Sequence, residues 1–252
     1  MVFETIKGLL LPFLGTSIGA ALVLVLRSGL PKRVGGLLAD AAAGIMAAAS
    51  VFSLLLPAMD EAERTGKLPA LTASIGFFLG VGVLAAWDRV SGRIERSGTV
   101  AHSTRMLVLS VCLHNIPEGM AVGAAYAGLL SGQGTVTAMS AFALALGIAL
   151  QNLPEGAIIS LPLHASGVRR GKAFLCGVAS GVSEPIAGAL TILLARFAVP
   201  ALPWLLSFAA GAMAYVTGFE LLPETFKERP VFGTLFVLLG FALMTGMDVL
   251  LG

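Results

Sequence analysis

Eight stretches of apolar sequence, each long enough to cross about 30 Å of hydrocarbon, leave this chain little room for a soluble fold. They run over roughly Gly8–Leu26, Gly35–Met59, Leu68–Trp87, Met106–Leu130, Ala138–Leu163, Ala173–Phe197, Ala201–Leu222 and Val231–Leu251. Short connections separate them, so residues 1–252 read as a single transmembrane domain, an all-α integral membrane protein of eight spans. Composition agrees: 57% of residues are hydrophobic and 12% charged, against about 25% charged in a soluble domain. No basic stripe or aromatic platform for nucleic acid is present. Lys7 followed by an apolar run resembles a signal peptide, but Glu4 interrupts the basic region and the run is long enough to span. It is therefore expected to stay as the first helix.

Basic residues orient the bundle. Twelve of the sixteen fall in alternate connections: Arg27, Lys32 and Arg33; Arg89, Arg93, Arg96 and Arg105; Arg169, Arg170 and Lys172; Lys227 and Arg229. Both termini are then expected outside, in the plasma (cytoplasmic) membrane. Cys112 and Cys176 have no ligand spacing and read as buried thiols.

Within the fourth and fifth spans sit two related motifs, His114-Asn115-Ile116-Pro117-Glu118-Gly119 and Gln151-Asn152-Leu153-Pro154-Glu155-Gly156. Residues four apart share a helix face, so His114 pairs with Glu118 and Gln151 with Glu155. Asn115 and Asn152 flank the same faces. Each proline removes a donor and is expected to bend its helix, freeing the carbonyls of Leu113 and Leu150. A second repeat joins Gly44-Ile45-Met46-Ala47…Leu55-Leu56-Pro57 to Gly211-Ala212-Met213-Ala214…Leu221-Leu222-Pro223. These lie in oppositely directed spans, a pattern of inverted-repeat transporters whose site lies near the midplane.

At about 1.5 Å per residue, Met46, Glu118, Gln151, Glu155 and Glu184 all fall roughly 12–18 Å from the inner ends of their spans. Together with His114, Asn115 and Asn152 they would surround one cavity. Three carboxylates at that depth need neutralising, by protonation or, with a better fit, by divalent cations, since no Lys or Arg shares the depth in these spans. A mixed N/O/S donor set suits Zn²⁺, Fe²⁺, Mn²⁺ or Cd²⁺. Glu118 and Glu155 would bridge two ions, with His114 and Gln151 on one side and Asn115, Asn152 and Glu184 on the other. Met46 is either a thioether ligand or a core filler, Glu184 either a ligand or a proton-coupling acid, and Asn115 and Asn152 either ligands or interhelical hydrogen-bond partners. Asp60 and Asp248 at the outer mouth, and Glu220 and Glu224 at the inner, either draw cations or are ordinary interfacial charge; His164 and His102 stand near the inner mouth. Gly76 and Gly80 form a GxxxG pattern that permits close packing, here or in a dimer. HExxH is absent, which speaks against an intramembrane zinc hydrolase. A metal-gated channel would use the same ligands as a carrier.

At the paired motifs the chain resembles the ZIP family of metal transporters. His-Asn-x-Pro-Glu-Gly is that family's signature, and Gln-Asn-x-Pro-Glu-Gly with Ser183-Glu184-Pro185 is similar to its bacterial GufA-like branch. The resemblance extends over nearly the whole chain and implies a secondary transporter that takes up Zn²⁺ and related divalent metals through a two-metal centre. One site would use Met46, His114, Glu118, Gln151 and Glu155, the second Asn115, Glu118, Asn152, Glu155 and Glu184. Zn²⁺ or another divalent ion is thus implied as substrate, two per protomer, in a homodimer embedded in the lipid bilayer. Asp60 and Asp248 match positions near the extracellular entrance. Spans 1, 4, 5 and 6 would move against 2, 3, 7 and 8. Some relatives carry Asp where this chain has Asn152, which removes one negative charge from the second site. The loop from Asp88 to Arg105 holds only His102, where many relatives have a longer His-rich segment.

Overall fold

The computed structural model describes residues 2–26, 31–95, 100–132, 136–197 and 201–251. Among these, the side chains of residues 32, 91–95, 100–111, 113, 114, 158, 196, 197, 220 and 251 fall outside the description. The sequence readings at His114, Glu220 and His102 therefore rest on side chains outside the described residues.

The described chain is helical and contains no strand. The helices are α1 (Val2–Val25), α2 (Lys32–Ala48), α3 (Leu56–Arg64), α4 (Pro69–Glu95), α5 (Val100–Ser131) and α6 (Ala138–Ala165). They continue with α7 (Arg170–Gly181), α8 (Ser183–Phe197), α9 (Leu202–Val216), α10 (Leu222–Glu228) and α11 (Phe232–Leu251). Seven helical segments, several of them built from two helices in line, are long and apolar enough to cross a membrane. The fourth expected stretch coincides with the 32-residue α5 and is not among those seven.

Proline acts differently at three places. Helices α5 and α6 continue through Pro117 and Pro154 without interruption. The sixth stretch, expected as one run, instead divides at Val182, between α7 and α8. Pro185 has no N–H for the carbonyl of Gly181 and its ring crowds that oxygen, so the chain restarts at Ser183. The seryl Oγ donates to the carbonyl of Ser180 at 3.1 Å.

The second repeat has a shared backbone signature. In both copies the Leu-Leu-Pro follows a π-helical stretch, Ala49–Leu55 between α2 and α3 and Thr217–Leu221 between α9 and α10. Ser50 Oγ donates to the carbonyl of Met46 at 2.7 Å, and Thr217 Oγ1 to that of Met213 at 2.9 Å. Such back-bonding competes with the helix ladder. The missing proline donor compounds it, so the wider turn absorbs the mismatch.

Packing pairs α1 with α6, α5 with α8, α2 with α11, and α4 with α9. A cluster including Ile45, Leu54, Val122, Leu144, Ile148 and Met244 forms the main apolar core. Gly76 and Gly80 spend their missing side chains inside this protomer: a Cβ at either would strike Ser207 or the Phe208 carbonyl of α9. The GxxxG face is thus internal and is no surface for a second copy. Cys112 and Cys176 are free thiols, half-buried rather than fully enclosed.

One buried carboxylate escaped the sequence reading. Asp40, on α2, is 1% exposed. It accepts two hydrogen bonds from Arg229, at 2.7 and 3.1 Å, and one from Thr225 Oγ1 at 2.6 Å. That hydrogen bonding raises the affinity of the Arg229 guanidinium for its proton above the ordinary value. The clamp joins α2 to α10 and to the turn between α10 and α11.

Candidate metal centre

The two motifs meet. Gln151 Nε2 on α6 donates to Glu118 Oε1 on α5 at 2.7 Å. Asn115 Nδ2 on α5 donates to Glu184 Oε1 on α8 at 2.9 Å and to the carbonyl of Ser180 at 3.3 Å. Asn152 lies beside both Glu118 and Glu184, but neither of its side-chain polar atoms has a partner at hydrogen-bonding geometry. Glu155 is near enough to both carboxylates for their charges to repel. Asn115, Glu118, Gln151, Asn152 and Glu184 are all at most 1% exposed; Glu155 is half-buried.

Glycine explains how the helices come so close. A Cβ at Gly119 would strike the backbone of Glu184, and one at Gly156 would strike the Thr16 carbonyl. The last residue of each motif therefore admits a neighbouring helix, α8 in one case and α1 in the other. The sequence reading placed no weight on these glycines.

The hydrogen bonding is incomplete, mainly on the acceptor side, with Asn152 Nδ2 an open donor. Asn115 Oδ1, Glu118 Oε2, Gln151 Oε1, Asn152 Oδ1 and Glu184 Oε2 are buried without a partner among the described residues. Every one is an electron-pair donor, and an unpaired buried polar atom ordinarily costs about 1–3 kcal/mol. Oxygens concentrated in this way are what a cation requires. Among the described residues no three His, Cys, Asp or Glu side chains are grouped so as to hold a metal ion. Met46 is 1% exposed and belongs to the apolar core.

The outer-mouth candidates also come together. Asp60 and Asp248 line one cavity of about 190 Å³, with Ser53, Ser140, Ala125 and Leu144. Ser53 Oγ donates to Asp248 Oδ1 at 2.8 Å. Ala125 and Leu144 stand seven residues from Glu118 and Gln151 along their helices, about 10 Å at helical rise. The buried residues Ala121, Val122 and Ile148 lie in that interval. Glu224 is exposed on α10, apart from the centre. His164 closes the α6–α7 turn, its Nδ1 bonded to the Val168 carbonyl at 2.9 Å and its Nε2 accepting from Arg170 at 3.2 Å.

A multi-pass helical membrane protein with a buried, cation-ready oxygen cluster is the class that fold and centre define. The family model described as ZIP Zinc transporter matches residues 90–248, and the chain belongs to that family, whose members are transporters rather than enzymes. It is 33% identical to Zinc transporter ZIP11 of Xenopus tropicalis over all of this chain and 98% of that protein. Identity is 34% to Zinc transporter GufA of Myxococcus xanthus, over 94% of each chain. With Zinc transporter ZIPB of Bordetella bronchiseptica it is 36%, over 95% of this chain and 79% of the other.

Proposed function

We propose that this protein is a secondary transporter carrying divalent transition-metal ions, Zn²⁺ foremost and Cd²⁺, Fe²⁺ or Mn²⁺ besides, into the cytoplasm. The observation that carries the reading is the set of five unpartnered oxygens on α5, α6 and α8. Met46, His114, Glu118, Gln151 and Glu155 would hold one ion; Asn115, Glu118, Asn152, Glu155 and Glu184 would hold the other. Amide oxygens contribute no charge, so the centre binds without trapping its cargo.

The mechanism is alternating access. Asp60 and Asp248 concentrate cations at the outer mouth, and Glu220 and Glu224 receive them at the inner. About 10 Å of buried apolar side chains separate the outer cavity from the centre, whereas Glu155 retains some exposure. A path blocked on one side of the site favours a carrier over an open pore. The matched helix pairs, α1 with α6 against α8 with α5 and α2 with α11 against α9 with α4, support an inverted repeat of eight spans, and the distribution of Lys and Arg favours both termini outside. The chain is placed in the cytoplasmic membrane as a homodimer joined elsewhere than at Gly76 and Gly80.

Zinc uptake into proteoliposomes, with bound metal counted in parallel, tests the reading. Glu118→Gln and Glu155→Gln are expected to abolish uptake and lower bound zinc while leaving folded protein in the membrane. Unchanged uptake by both variants would refute it.

A further inference from the structure

Thr16 of α1 touches the centre through its side chain, and nothing in the motifs points to it. It is fully buried. Its Oγ1 lies 2.8 Å from Glu184 Oε1 and 3.5 Å from the carbonyl of Pro12. A hydroxyl has a single proton to donate, and the shorter contact with the carboxylate is the stronger claim on it.

The backbone around Thr16 is equally constrained. Its carbonyl packs against Gly156, the last residue of the second motif, and its side chain lies against Gly181 just before the α7–α8 break. A β-branched side chain has few rotamers to choose from. Thr16 is therefore wedged between α6 and α8 with its hydroxyl fixed in direction.

The consequence is an asymmetry in Glu184. Oε1 accepts from both Thr16 and Asn115, while Oε2 accepts from nothing among the described residues. Two donors on one oxygen fix the carboxylate's rotation and aim the other oxygen into the cluster.

We propose that Thr16 is a positioning residue for transport: its hydroxyl holds Glu184 so that Oε2 alone is presented to the metal. This rests on the functional reading above, in which Glu184 is a ligand. Groups that orient metal ligands from behind typically carry 10–100-fold of metal affinity.

The test is zinc titration of the purified full-length protein, together with initial uptake rates in proteoliposomes. Thr16→Val keeps the shape and removes the hydroxyl. It is expected to weaken zinc binding about tenfold and raise the KM for uptake comparably, with the maximal rate much less affected. Thr16→Ser keeps the hydroxyl and is expected to restore most of the affinity. In a Glu184→Gln background, Thr16→Val is expected to add little. Should Thr16→Val fail to fold, Thr16→Ala takes its place in each comparison.

Wild-type affinity in Thr16→Val overturns the proposal. So does a Thr16→Ser protein as weak as Thr16→Val, which would assign the effect to side-chain shape. Full additivity with Glu184→Gln also overturns it, since a packing role would act independently of that carboxylate. A wild-type protein that neither binds nor carries zinc defeats the functional reading, and this inference with it.

Discussion

Asp40 and the pair Glu118 and Glu184 are buried to the same degree, yet they are treated in opposite ways. Asp40 has a guanidinium across from it and a threonine hydroxyl beside it, so both of its oxygens are used. Glu118 and Glu184 receive only neutral donors, each on one oxygen. No Lys or Arg is paired with either among the described residues. A carboxylate that serves the fold has its counter-charge built into the chain. One left half-satisfied in the interior is neutralised by a proton or by a cation that arrives from outside.

The sharpest way to break this contrast is to remove Arg229. Arg229→Ala leaves Asp40 buried and uncompensated, and it is expected to destabilise the protein by about 3 kcal/mol. That is the low end for breaking a buried pair, because the Arg229 side chain is 18% exposed. Replacing both partners with leucine should recover most of the loss. Thermal unfolding in detergent reads both, and an Arg229→Ala protein that melts like wild type would show the clamp to be dispensable.

A smaller effect distinguishes the central carboxylates. Zinc at about 100 times its dissociation constant should stabilise the wild type by about 2.7 kcal/mol. Glu118→Gln should lose that increment. Without zinc it should melt no lower than wild type, since it removes a charge that nothing in the chain compensates. A Glu118→Gln protein as fragile as Arg229→Ala would erase the distinction between the two kinds of carboxylate.

The smallest effect belongs to the outer cavity. Asp60→Asn and Asp248→Asn should lower zinc uptake a few-fold at low ionic strength, and less at high salt, because exposed charges act through a screened field. Uptake rates measured across a salt series give the answer. A loss independent of salt would mean that these residues bind the ion directly.

Much of the centre was legible because its residues announce themselves locally. The four-residue spacings put Gln151 with Glu155 on one face, and proline marked both motifs, whereas the break before Glu184 was not foreseen although Pro185 stands beside it. Hydropathy placed the helices, but nothing in the small-residue repeat pointed to the two π-helical stretches at Ala49–Leu55 and Thr217–Leu221. Asp40 could not be read in the same way. Its partner stands 189 residues away, and no periodicity links a carboxylate in one helix to an arginine between two others. Thr16 was hidden for a related reason: one hydroxyl in an apolar helix usually bonds its own backbone, and only the fold brings Glu184 to it. Gly76 and Gly80 signalled close packing correctly, but the pattern does not carry the identity of the partner helix.

The band of apolar side chains between the outer cavity and the centre has an electrical consequence. Voltage drops where ions and water are absent, so much of the membrane potential should fall across those 10 Å or so. A doubly charged ion that passes the whole field gains about 4.6 kcal/mol at 100 mV, inside negative. The rearrangement that lets cargo past Val122, Leu144 and Ile148 would then be the step that senses voltage, and the resting potential would by itself favour inward movement.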